Sequence, residues 1–140
     1  MEENSVFNSL HQQLAHFKAI RHDLHKHPET AFEEYRTAGI VAEHLKQYGL
    51  EVHTGLAGTG VVGVLHAGNA EQAIGLRADL DALDLQENNT FAHRSTINGK
   101  MHGCGHDGHT TMLLAAAQQL AQQPDFDGTV YFIFQPAEEN

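Results

Sequence analysis

At 140 residues, 41% hydrophobic and 19% charged, the chain is too apolar for a disordered segment and long enough for one domain with a core. The 8 Lys and Arg against 18 Asp and Glu give a formal net charge of -10, which repels phosphate backbones and speaks against nucleic acid as a partner. No apolar run reaches the length of a membrane span, and the start Met1-Glu2-Glu3-Asn4-Ser5 is acidic where a secretory signal is basic. The single cysteine builds no disulfide framework, so the expected setting is the cytoplasm, where a free thiol survives to bind metal.

Val6, Leu10, Leu14, Phe17, Ile20 and Leu24 recur at intervals of three or four and predict one long helix ending near His27-Pro28, with His11, His16 and His22 facing solvent. A second helix is expected over 34–48, with Ile40, Val41 and Leu45 inward and Gly49 as its stop. Glycines 55, 58 and 60 then break the chain. The apolar runs 61–65 and 73–76 read as strands, neighbours joined through a turn at Gly68-Asn69. Asp107 is expected to cap a helix over 108–121, with Pro124 beyond its end. After a turn at Asp127-Gly128, the nearly continuous apolar run 129–134 reads as a strand covered on both faces. Strand, helix and strand in this order predict an α/β fold, a mixed, mostly parallel sheet flanked by helices.

The chemistry concentrates in residues 101–109, Met-His-Gly-Cys-Gly-His-Asp-Gly-His, which hold three of the 12 histidines and the one cysteine. Thiolate, imidazole and carboxylate are the donors that zinc and its first-row neighbours accept, and the interspersed glycines let such side chains converge. Cys104 and His106 precede a helix, while Glu138 and Glu139 follow a strand, and in an α/β sheet those places meet at the carboxyl edge. Asp79, in Arg77-Ala78-Asp79-Leu80-Asp81, ends another strand and could reach the metal or hold one of its histidines. If the backbone is extended at the glutamate pair, one carboxylate can bind metal while the other takes a proton from water. His109 reads equally as an orienting, substrate-contacting or packing residue, and His102 equally as a turn cap. His25 and His27 either support the site from behind or simply end the first helix. His44, His53, His66 and His93 read as surface residues. Two other readings stay open here: Cys104 as a thiol nucleophile with His106 or His109 as base, and a metal-binding module without catalysis.

Four stretches carry a family resemblance: 21–34 with Arg21-His22-Asp23-Leu24-His25, 75–83, 101–109, and 128–139 ending Gln135-Pro136-Ala137-Glu138-Glu139. On these the chain resembles the amino-terminal part of the M20 metallopeptidases and amidohydrolases, in the branch of hippurate hydrolases, N-acyl-amino-acid deacylases and plant auxin-conjugate hydrolases. The resemblance implies Cys104, His106 and Glu139 as ligands of a centre of two divalent metal ions (zinc, manganese, cobalt or nickel), Glu138 as general base, and Asp79 as the acidic catalytic position behind it. It implies a small N-acyl amino acid as substrate, with a dipeptidase or carboxypeptidase as the nearest alternative, no membrane partner, and a homodimer at full length. The chain departs from the family in having Asp84 where proline is usual and Gly103 where alanine is usual. The family also continues past the glutamate pair to further ligands and a dimerisation or lid domain. Residues 1–140 are thus expected to be part of a catalytic domain, a fragment inactive alone.

Overall fold

The computed structural model describes residues 2–140, with side chains from Ser5 onward. The predicted first helix is two helices, α1 (Glu2–Gln12) and α2 (Leu14–Lys26). Gln13 leaves the helical ladder (φ -97, ψ 1), its N–H closing a tight turn onto the Leu10 carbonyl at 3.1 Å. The reason lies in burial: Phe17, Ile20 and Leu24 reach the core, whereas Val6 and Leu14 stay exposed, so only the second half of the apolar stripe is held in place. His22 is not simply solvent-facing, since its ring stacks on His93 with centroids 3.7 Å apart.

Helix α3 (Tyr35–Gln47) buries Thr37, Ala38, Val41, Ala42 and Leu45, with Ile40 only partly covered. Gly49 stops it as expected. At φ 88 its N–H reaches the Lys46 carbonyl (3.0 Å) while the Leu50 N–H reaches Leu45 (3.1 Å), a glycine-terminated end that tucks Leu50 into the core. The glycine-broken stretch after it is a strand, β1 (Glu51–Leu56), forming an antiparallel hairpin with β2 (Gly60–Ala67). Its residues are almost all exposed, so no burial pattern marks it in the sequence.

The sheet order is β1-β2-β4-β3, with β3 spanning Ala73–Asp79 and β4 Gly128–Gln135. The strands 61–65 and 73–76 are therefore not neighbours, because β4 lies between them, antiparallel to β2 and parallel to β3. Asp127 explains the displaced turn: its Oδ1 accepts the N–H groups of Asn69 and Ala70, both at 2.7 Å, and steers the chain under the start of β4. The fold is mixed α/β as expected; among the described strands only β3 and β4 pair in parallel, with one further parallel bridge between Thr30 and Ala82. Val130, Phe132 and Phe134 of β4 are buried beneath the helices, but Tyr131 on the opposite face is exposed. The strand is central without being covered on both faces, among the described residues.

Helix α4 (His106–Gln122) begins earlier than expected, and its cap residue is Gly105 (φ 90) rather than Asp107. Leu113, Leu114 and Ala117 pack it against β3, β4 and α2. The parallel register Asp79↔Gln135, extended by the Leu80 N–H to the Gln135 carbonyl at 2.9 Å, brings the ends of β3 and β4 side by side. The start of α4 abuts them there. No described helix is long and apolar enough to cross a membrane.

Candidate metal centre

His106, 2% exposed, is the middle of the site. Its Nδ1 lies 2.8 Å from the backbone carbonyl of Asp81 and 3.2 Å from Asp81 Oδ1. A carbonyl oxygen only accepts, so Nδ1 carries the hydrogen and Nε2 presents a lone pair. Around Nε2 stand Glu139 Oε1 at 3.5 Å, Asp79 Oδ2 at 3.6 Å and Glu138 Oε2 at 3.8 Å. None is within hydrogen-bonding distance. Two donors on one tetrahedral zinc, each bonded at about 2.0–2.2 Å, sit about 3.3–3.6 Å apart, so the spacing fits donors that share a cation. Two overlapping sets of donor atoms lie within 4.8 Å of one another: Cys104, His106 and Glu139, and Asp79, His106 and His109. The five candidates Cys104, His106, Glu138, Glu139 and Asp79 thus come to one place.

Contrary to the extended backbone expected there, the glutamate pair is not extended. It occupies a turn after β4, which follows Ala137 at φ 54, and both carboxylates face the same imidazole. Two buried acids hold this turn. Glu34, fully buried, accepts the Ala137 N–H at 2.8 Å and the Thr59 hydroxyl at 2.6 Å. Asp81 Oδ2 accepts the Glu139 N–H at 2.9 Å, so one carboxylate fixes both a histidine and a glutamate of the site. Asp81 and Glu34 belong to the site without any local pattern that marks them as such. Both lie inside the quoted motifs, but their spacing does not show which backbone groups they will reach.

Asp79 accepts from His109 Nδ1 at 2.7 Å and pairs with Arg77 Nη1 at 3.2 Å. Burial pushes its carboxyl up, but the His109 hydrogen bond and the two neighbouring imidazoles outweigh that and hold it below the ordinary range. His109 is therefore an oriented residue rather than a packed one. The Cys104 thiol is exposed and pushed up, chiefly by its hydrogen bond with Glu139, then by local desolvation and the charges of Glu139, Glu138 and Asp79. A nucleophilic thiol needs the opposite shift, so the geometry favours a cation ligand over thiol catalysis.

His102 does not cap a turn. The turn is closed by the Gly103 N–H to the Met101 carbonyl, and the His102 ring is buried with neither nitrogen partnered. Burial first, and then the neighbouring His25 and His106, push it down to about 4, with Asp107 and Asp81 opposing. His27 bonds the Asp23 carbonyl at 2.8 Å and ends α2, whereas His25 lies behind the site between two carboxylates. His53 and His66 are at the surface, but His44 and His93 are half-buried.

The sequence profile of peptidase family M20/M25/M40 matches residues 75–140. The chain is 53% identical over 123 residues to the hippurate hydrolase of Campylobacter jejuni, covering 88% of this chain and 32% of that protein. Over these residues the chain matches the M20 family. It is also 47% identical over 121 residues to an IAA-amino acid hydrolase of Arabidopsis thaliana, covering 86% of this chain and 28% of that one. The chain superposes with a TM-score of 0.86 and 36% identity on a dinuclear metal-binding peptidase of the M20 family from Bacillus subtilis, over 94% of this chain and 37% of the other. It thus spans about a third of the length of the relatives it matches.

Proposed function

We propose that this chain is part of the catalytic domain of a metal-dependent amidohydrolase that cleaves the amide bond of N-acyl amino acids. The observation that carries the reading is the His106 ring, anchored at Nδ1 by Asp81 with Nε2 turned to three carboxylates between 3.5 and 3.8 Å away. Support for the substrate class comes from the two curated relatives, one named for hippurate and the other for an amino-acid conjugate.

In this reading Cys104, His106 and Glu139 hold a divalent cation, and a second is completed by residues that the longer relatives supply. Bound there, such a cation lowers the pKa of water and polarises the substrate carbonyl. Glu138, more exposed than Glu139, takes the proton of the attacking water and passes it to the leaving amine. Asp79 holds His109 toward the same space and keeps a negative charge beside His106. The active protein acts as a homodimer closed by a lid domain, and residues 1–140 alone turn over no substrate.

The test is Glu138→Gln in the full-length protein, assayed on N-acetyl and N-benzoyl amino acids and on dipeptides. Turnover should fall by about two to four decades with metal content unchanged. Loss of the metal would exchange the roles of the two glutamates, undiminished turnover would refute them, and faster hydrolysis of dipeptides would refute the substrate class.

A further inference from the structure

Leu83 and Met101 exchange backbone hydrogen bonds, each at 3.0 Å, and close a loop that holds no helix or strand between them. His102 and Cys104 follow directly, so whatever fixes this loop also fixes the run-in to the metal-binding stretch. The loop is organised around Glu87, 8% exposed. Its carboxylate accepts from Asn89 Nδ2 at 2.9 Å, from the Ser95 N–H, and from His25 Nε2 at 2.9 Å. The other His25 nitrogen, Nδ1, lies 2.8 Å from Asp107 Oδ2, in the first turn of α4 and next to His106.

We propose that His25 is held as an imidazolium between Glu87 and Asp107 and acts as a positioning residue, fastening the 84–100 loop to the start of the metal-binding helix. Ionised carboxylates only accept hydrogen bonds. A neutral imidazole has one N–H and would turn a lone pair toward the second carboxylate, so the ring must donate from both nitrogens. Every packed element contributes to this balance. Helix α2 adds Arg21, whose Nε is 3.5 Å from Asp107 Oδ2, and His22. The loop adds Glu87, with His93 and Phe91 rings 5.7 and 5.8 Å away. His102 lies 6.3 Å off, and α4 adds Asp107. Burial opposes the charge on His25, and the hydrogen bonds and charges of Glu87 and Asp107 outweigh it, raising the ring above the ordinary imidazole range.

The loop is also tied to α2 by the Thr96 N–H and hydroxyl on the Lys26 carbonyl, at 2.9 and 2.7 Å, which are indifferent to pH, and by the stacking of His93 on His22, whose ring is held toward the neutral form by burial and by His93. The ionic tie through His25 does respond to pH. A raised folded-state pKa means that the clamp is present at lower pH and is lost as pH rises through the His25 titration. Without the imidazolium, the buried Glu87 loses its cationic partner and Asp107 keeps only Arg21 at 3.5 Å, so the tie between the loop and the helix loosens. This inference stands apart from the choice of substrate.

Two measurements on the 140-residue chain test it. Long-range nitrogen–proton correlation spectra of the His25 ring should show both nitrogens protonated at neutral pH, and a nitrogen without a proton would overturn the proposal even if no variant folds. Trypsin cleavage at Arg94, exposed within the loop, should speed up by about tenfold in His25→Gln through local opening, with zinc affinity reduced about ten- to a hundredfold. Normalised to a peptide substrate, the native chain should approach the variant's rate as pH rises, while His25→Gln stays fast throughout. Equal cleavage of the two at every pH would refute the clamp.

Discussion

Replacing Asp81 with asparagine tests how the centre is assembled. The carboxylate is 1% exposed. Its Oδ2 takes the Glu139 N–H at 2.9 Å and its Oδ1 lies 3.2 Å from His106 Nδ1, while the Asp81 carbonyl at 2.8 Å is untouched by the substitution. The tautomer of His106 therefore survives. An asparagine amide has one oxygen for two N–H groups, so in either orientation its NH2 faces a donor. Loss of one charge-assisted hydrogen bond costs about 1.5–3 kcal/mol. Charged to the cation-bound state at about 1.4 kcal/mol per decade, this weakens zinc binding by about ten- to a hundredfold, the range found when partners behind metal ligands are removed. Competition against a chromogenic chelator measures it, with circular dichroism confirming the fold. A folded variant whose zinc affinity stays within about twofold of the parent would refute the claim that Asp81 arranges His106 and Glu139.

Cys104 in the metal-free chain should alkylate slowly with iodoacetamide at neutral pH, because its thiol is pushed up, and added zinc should protect it further; rapid, zinc-insensitive alkylation would contradict its place in the centre. Asp79 is held below its ordinary range, so it contributes stability above the unfolded-state pKa that is lost as pH falls through the folded-state value. Urea midpoints for Asp79→Asn should accordingly show a flatter acid limb than the parent. Phe132→Ala, at a fully buried position in the central strand, should cost about 3–5 kcal/mol in chemical denaturation, and a cost below about 1 kcal/mol would mean that β4 is not the centre of the core.

The site was more legible in the sequence than the sheet around it. Cys104, His106 and the two glutamates flank elements whose periodicity is plain, and their meeting follows from parallel pairing of β3 and β4. The strand order was hidden because it depends on Asp127 capturing Asn69 and Ala70, a contact across the sequence that no local pattern records. The break at Gln13 escaped for a related reason: an apolar stripe shows that a helix can form, not how much of it finds a partner. Asp81, Glu34 and His25 act on backbone groups or between carboxylates, so their roles become visible only with the fold.

Metal content bears most directly on the claim that Cys104, His106 and Glu139 hold a cation. The purified chain and its His106→Ala and Glu138→Gln variants, dialysed against zinc and then against metal-free buffer, should be compared by elemental analysis. Zinc should stay bound in the parent and in Glu138→Gln and be lost in His106→Ala. Equal zinc in the parent and His106→Ala would contradict the claim.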